Sequence, residues 1–203
     1  MIITIGRQVG SGGRLVGKIL AQRFGLAFYD REILQRAAKE SGIKDEFFEQ
    51  SDERNSLFGR FASFFMSDHI LPAENCLSSQ SLFKFQSDTL RRAAAEGNGA
   101  VFVGRCSDYV LRDFDNRTDV FITADIDSRI RRAANYFNVS EEEAARKIKD
   151  MEKARADFYN FYTEKTWGAA ASYHLCVDST DISLEQVADI IESYIRMTGR
   201  TGS

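Results

Sequence analysis

Apolar positions along the chain fall into short runs separated by longer stretches of helical period. Residues 2–6 form a β-branched run ending in glycine turns, after which Leu15, Val16, Ile19 and Leu20 recur at helical spacing up to Phe24 and Gly25. A second short run occupies residues 26–29, and a helical pattern restarts at Asp30, whose carboxylate suits a helix N-terminus. Further buried strands are predicted at residues 100–103, 119–123 and 174–177, with helical segments between them. Ser140 with Glu143 opens one of these helices, and Ser183 with Gln186 has the spacing of a capping box at the start of the last. Strands alternating with helices predict an α/β fold in which a parallel sheet carries helices on both faces.

Over residues 45–98 the pattern changes, with many phenylalanines, the only proline (Pro72) and no convincing strand. This stretch predicts helices inserted between the second and third strands of a single domain spanning residues 1–203. Phe47, Phe48, Phe58, Phe61, Phe64 and Phe65 are expected to fill a helical core; were they exposed, they would mark a homodimer interface.

Composition narrows the function classes. A chain of 203 residues with 43% hydrophobic and 28% charged positions suits one soluble domain with a sizeable core. Its net charge of −3 shows no basic excess of the kind that binds a nucleic acid polymer. The strand at residues 2–5 leaves no room for a signal peptide and no apolar run is long enough for a membrane, so the cytoplasm is the expected location. Cys76, Cys106 and Cys176 are odd in number and lack C-x-x-C spacing, which together with only two histidines argues against a disulfide framework or structural zinc.

Between the first strand and first helix stand Gly10, Ser11, Gly12, Gly13 and Arg14. A phosphate-binding loop needs this arrangement, a turn whose backbone N–H groups face phosphate oxygens and a helix N-terminus that adds partial positive charge. Aligned on G-x-x-x-x-G-K-[ST] with Gly12 as the second glycine, however, Arg7 replaces the first glycine and Gly13 the lysine. Arg14 then replaces the Ser/Thr that touches magnesium. Two other readings stay open. A dinucleotide fingerprint has Gly10 and Gly12 in place and Asp30 near the acidic position, but Leu15 where the third glycine belongs. A plain turn would not need so many glycines, each of which adds entropy to the unfolded chain.

Ligands of open α/β sheets gather at the carboxyl ends of strands. There the sequence places Arg7, then Asp30 and Arg31, then Gly104 and Arg105, then Asp125, then Asp178 with Ser179 and Thr180. Arginines and carboxylates around a glycine loop suit phosphates and a metal ion, although Asp178 equally suits a helix cap. After the fourth predicted strand come Arg129, Arg131 and Arg132, and a capped helix follows with Lys153 and Arg155, the pattern of a helical lid over residues 129–165. Arg129 and Arg132 share a helix face, whereas Lys153 and Arg155 lie roughly 200° apart on a straight helix.

The segments GRQVGSGGRLVGKILAQRFGLAFYDREIL, VFVGRCSDYVLR, DVFITADIDSRIRR, EKARADFYNFYTEKTW and YHLCVDST resemble, in order and spacing, the cytidylate kinase-like proteins, relatives of bacterial cytidylate kinases among the P-loop nucleoside monophosphate kinases. The resemblance implies a P-loop kinase fold with a five-stranded parallel sheet, a helical acceptor-side insert and an arginine-bearing lid. It also implies transfer of the γ-phosphoryl of ATP, with Mg²⁺, to a nucleoside monophosphate such as CMP or dCMP. Carried onto this chain, Gly10 to Arg14 hold ATP phosphates with Arg7, Arg129 and Arg132, and Asp30, Arg31 and Arg105 approach the acceptor. Lys153 and Arg155 close on the transferred group beside Arg14. Ser11 is the one hydroxyl near the magnesium position. Cys106 departs from the Gly-Arg-Asp of cytidylate kinases, and Glu152 from an aspartate before Lys153. A nucleotide-binding regulatory protein that kept the fold without turnover is the alternative, and a dinucleotide-dependent oxidoreductase ranks last.

Overall fold

Strands β1 (Ile2–Arg7), β2 (Ala27–Tyr29), β3 (Ala100–Val103), β4 (Arg117–Thr123) and β5 (Leu175–Asp178) form one parallel sheet in the order β2-β3-β1-β4-β5. The computed structural model describes residues 1–30 and 79–200. Contacts divide the chain into two units, Met1–Arg31 with Leu90–Ser203 and Glu32–Thr89, and the sheet belongs to the first. Arg31 and the six phenylalanines named above lie outside the described residues.

Helices α1 (Gly13–Phe24) and α6 (Leu184–Met197) cover one face of the sheet, and α2 (Ser79–Ala95) leads into β3. The core on the covered face joins Ile3 and Ile5 of β1, Val101 and Val103 of β3 and Val120 and Ile122 of β4. Val16 and Leu20 of α1 and Val187 and Ile191 of α6 complete it, all of them buried. Strand residues of alternate position therefore supply the aliphatic layer, as a period of two requires.

The opposite set of β1 and β4 positions carries a polar network. Asp119, 4% exposed, accepts Thr4 Oγ1 at 2.6 Å and Arg117 Nε at 2.7 and 2.8 Å, one contact to each carboxylate oxygen. Arg117 also donates to the Leu111 carbonyl at 2.6 Å. β4 begins at Arg117, ahead of the predicted strand, because Arg117 pairs with Ile2 and the Ile2 amide donates to the Asn116 carbonyl at 3.0 Å. His174 precedes β5. Its amide donates to the Asp119 carbonyl at 2.8 Å, and its ring Nδ1 accepts the Asp119 amide at 2.9 Å. That imidazole is neutral through Nδ1, and burial lowers its pKa.

Short α3 (Ser107–Val110) follows β3, and α4 (Ile126–Phe137) and α5 (Glu141–Thr163) follow β4. The caps form where the sequence puts them. Ser183 and Gln186 bond reciprocally, and Ser140 accepts the Glu143 amide. Asp125 caps α4 by accepting the Ser128 amide at 2.9 Å, and that hydrogen bonding holds its carboxyl down at about 2. Asp178 closes a turn on the Thr180 amide at 2.7 Å, while the cap of α6 is Ser183.

Candidate functional site

β1 ends in a loop whose shape depends on two glycines in the left-handed region, Gly10 at φ 81° and Gly12 at φ 80°. A Cβ on Gly10 would stand 2.5 Å from the Arg129 carbonyl oxygen, so the loop is pressed against the first turn of α4. Gly12 is the N-cap of α1 and has no side-chain cap, and the first turn of α1 carries no acidic residue. The amides of Gly10, Gly12 and Gly13 donate to no other group among the described residues. Such a set of unsatisfied donors at a helix N-terminus draws an anion.

Several side chains hold this loop in place. Gln8 Oε1 accepts the Ala124 amide at 3.2 Å and the Thr123 hydroxyl, tying the loop to the end of β4. Glu152 Oε1 accepts the Val9 amide at 3.1 Å and Arg129 Nη1 at 2.6 Å. Arg129 is 7% exposed and also donates from Nε to the Ala124 carbonyl at 3.0 Å. Arg132 reaches the turn after β5, donating to Ser179 Oγ at 3.1 Å and to its carbonyl at 2.7 Å, while Ser179 Oγ lies 2.8 Å from the Ser11 carbonyl. The two arginines predicted to bind phosphate thus form the frame of the loop. A buried guanidinium next to a carboxylate is satisfied by it.

Of the other predicted arginines, Arg7, Arg14 and Arg105 stand near the carboxyl ends of β1, β2 and β3. Arg14 Nε meets Asp30 Oδ2 at 2.7 Å, with the Asp30 side chain 5% exposed and that of Arg14 35%. Arg7 runs past Gly13 toward Gly104, since a Cβ on Gly13 would lie 2.6 Å from Arg7 Cβ and one on Gly104 would strike the Arg7 guanidinium. After β3 three residues in succession adopt left-handed backbone, Gly104 at φ 78°, Arg105 at φ 61° and Cys106 at φ 53°. For the two that are not glycine this costs about 1–2 kcal/mol each, and such strain gathers at functional sites.

Helix α5 presents Glu152, Arg155 and Tyr159 on one face, at spacings of three and four. All three bond to this edge: Glu152 as described, Arg155 Nη1 to the Arg7 carbonyl at 3.0 Å, and Tyr159 Oη to Asp108 Oδ2 at 2.6 Å. Lys153 lies off that face, exposed and paired with Asp157 at 2.7 Å, so the lid's two predicted cations do not meet. Burial raises the Asp108 carboxyl, and the Tyr159 and Tyr173 hydroxyls are raised by burial and by Asp108. Burial also raises the Cys106 thiol, which is therefore no nucleophile at neutral pH.

Gln8, Asp108, Tyr159 and Tyr173 were not singled out by sequence. Asp108 had a signal, an acid two positions beyond the Cys106 that replaces the expected one, and Tyr159 had another, a helical face shared with Glu152 and Arg155.

A profile of the cytidylate kinase-like family matches residues 2–181. The chain belongs to the cytidylate kinase-like family. Among curated relatives of this cytidylate kinase-like chain, a cytidylate kinase of Methanospirillum hungatei is 25% identical over 151 residues, 74% of this chain and 78% of the relative. An uncharacterized protein from Eubacterium ventriosum has a solved structure with a TM-score of 0.74 at 28% identity, covering 97% of this chain and 98% of that one. Shikimate kinases from Aquifex aeolicus and Bacteroides thetaiotaomicron share the fold at 16% and 15% identity, with TM-scores of 0.51 and 0.56 and 97–98% of each chain covered. The architecture is the P-loop kinase fold, with a five-stranded parallel sheet. Among the described residues no helix is long and apolar enough to cross a membrane.

Kinases of this fold imply a magnesium ion, and the donor set at the loop does not fit a protein-held one. Arg14 stands at the hydroxyl position, and Asp30 is paired with Arg14. The Ser11 hydroxyl is fully buried and donates to the Gln8 carbonyl at 3.0 Å, because the left-handed glycines on either side turn it inward. No cluster of three potential metal-ligating side chains occurs among the described residues.

Proposed function

We propose that this protein transfers the γ-phosphoryl group of ATP to a nucleoside monophosphate, with CMP or dCMP as the acceptor. The observation that supports this reading is the glycine loop with unsatisfied amides at Gly10, Gly12 and Gly13, flanked by Arg7 and Arg14, in a chain of the cytidylate kinase-like family. The loop amides and Arg14 take the triphosphate, and Arg7 adds charge on the β3 side. Arg105, held in its left-handed turn at the end of β3, takes the acceptor phosphate, with Asp30 and Arg31 on the acceptor side. Arg129 and Arg132 position the loop rather than touch the nucleotide. Transfer is an in-line attack of the acceptor oxygen on the γ-phosphorus, with no covalent enzyme intermediate, and depends on positioning and charge. Arg155, already on the Arg7 carbonyl, and Lys153, exposed and paired with Asp157, belong to the lid.

A nucleotide-binding regulatory protein is the second reading. It is favoured by Lys153, which faces solvent in a pair with Asp157. ADP formation by the purified protein with ATP and Mg²⁺, measured against CMP, dCMP, UMP, AMP and no acceptor, decides between them. CMP- or dCMP-dependent turnover is expected; tight ATP binding with no acceptor-dependent turnover would establish the second reading.

A further inference from the structure

Between β1 and α1 the loop has one apolar side chain, Val9, and it is buried. That side chain does not join the core between the sheet and α1. It belongs with Ala133 of α4 and Ala144 and Ile148 of α5 to a separate buried cluster. The Val9 amide donates to Glu152 of α5, and the next residue, Gly10, is pressed on the Arg129 carbonyl of α4. Both helices therefore grip the loop directly beside the Gly10 amide.

The grip continues along α5. Ala144, Ile148, Glu152, Arg155 and Tyr159 recur at spacings of four, four, three and four, which is one stripe of a helix. The first two join the Val9 cluster, Glu152 takes the Val9 amide, Arg155 takes the Arg7 carbonyl and Tyr159 takes Asp108. At 1.5 Å per residue the stripe runs about 22 Å. A hinged lid is attached at its base and free beyond it, whereas α5 is seated along its length. Swinging it outward would put the Val9 cluster in water and take the acceptor from the Val9 amide. At the other end of the pair only Ala124 and Asp125 lie between β4 and α4, and their amides are bonded to Gln8 and to the Thr180 hydroxyl, which leaves little slack for a hinge.

We propose that Val9 is the positioning residue that locks the glycine loop to α4 and α5, so that this helical pair is a fixed wall of the nucleotide site and not a lid that swings over it. This inference rests on the nucleotide reading given above and deepens it. The loop amides are then aimed before a nucleotide arrives, and ordering them costs nothing at the moment of binding.

The test measures a distance and an affinity on the whole chain. Nitroxides at Gln22→Cys of α1 and Glu142→Cys of α5, both exposed positions, are placed in a background with Cys76 and Cys176 changed to serine. Double electron–electron resonance gives their separation, without and with adenosine 5′-(β,γ-imido)triphosphate and Mg²⁺, and calorimetry gives nucleotide affinity. A narrow distribution whose peak moves by less than about 2 Å on binding is expected. Val9→Ala should broaden the distribution in the free protein and weaken nucleotide binding by about tenfold or more. Ile148→Val, a smaller cut on the facing side of the same cluster, should act in the same direction and serves if Val9→Ala does not fold. Val187→Ala, in the core under α6, should change neither readout. A larger movement on binding, a Val9→Ala distribution as narrow as wild type, or the same two changes in Val187→Ala would overturn the inference and leave the nucleotide site standing. No nucleotide binding by wild type would overturn the nucleotide reading, and the join would then be decided by the free-protein distributions alone: broadening in Val9→Ala upholds it, equal widths overturn it.

Discussion

The carboxylate of Glu152, on α5, lies 3.1 Å from the amide of Val9 in the glycine loop, and the same oxygen takes Arg129 at 2.6 Å. One acid therefore secures both the loop and a cation that is 7% exposed. Glu152→Ala leaves that cation without its carboxylate, and removal of one partner of a buried pair costs about 3–5 kcal/mol. Because the Glu152 side chain is 20% exposed, the lower end is expected, about 3 kcal/mol in urea unfolding, with Glu152→Gln milder because its amide oxygen still accepts. Equal stability of the alanine variant and wild type would show that the pair contributes nothing.

Gly10→Ala and Gly25→Ala separate backbone strain from collision. Both glycines have positive φ, 81° and 65°, but a Cβ on Gly25 would have nothing within 4 Å, whereas one on Gly10 would stand 2.5 Å from the Arg129 carbonyl. Gly25→Ala should cost about 1–2 kcal/mol and leave nucleotide binding unchanged. Gly10→Ala should cost more and weaken nucleotide binding tenfold or more. Thermal unfolding and nucleotide titration of the two variants make the comparison.

Arg105 carries strain and proposed acceptor binding in one residue. Arg105→Ala keeps the left-handed backbone and removes the guanidinium, so the KM for the acceptor should rise more than that for ATP. Arg105→Gly should show the same kinetics and yet unfold at higher denaturant than Arg105→Ala, by about 1 kcal/mol, because glycine relieves the strain. A larger rise in the KM for ATP would assign Arg105 to the donor.

Two acids should move stability with pH in opposite directions. Asp108 titrates above its ordinary range in the folded protein because burial disfavours its charge, so its contribution is full below the unfolded pKa of about 3.9 and is lost as pH rises through the folded value. Asp125 is held down at about 2, so its contribution is present above the unfolded pKa and is lost as pH falls toward 2. Asp108→Asn should therefore remove a decline in stability above about pH 4, and Asp125→Asn should remove one below it. Unfolding free energies between pH 2 and 7 give both slopes.

Local chemistry was legible in the sequence and long-range pairing was not. The short apolar runs located every strand among the described residues, and the Ser183–Gln186 spacing located a capping box that forms with both of its bonds. The three-glycine loop was legible because so few backbones need that composition. The angular separation of Lys153 and Arg155 was also legible, and it places Arg155 on the Arg7 carbonyl and Lys153 in solvent. What the charges pair with was another matter. Arg14, Arg129 and Arg132 read alike as cations near phosphate, and only folding shows that Asp30, Glu152 and Ser179 meet them. Such partners come from strands and helices far apart in the chain, whose meeting is set by packing rather than by any local pattern.

The buried carboxylate of Asp119 touches none of the residues proposed to meet a ligand, yet it indexes them. It stands opposite Thr4 in the β1–β4 ladder, and three positions on the same alignment sets Arg7 opposite Ile122. Sliding β4 by a single residue would turn Asp119 into the layer of Ile3, Ile5 and Val16, away from Thr4, at a penalty of several kcal/mol for an ion stranded in hydrocarbon. Such misregistered sheets are thereby disfavoured during folding, and the aim of the loop arginines is inherited from an acid at the other end of the strand.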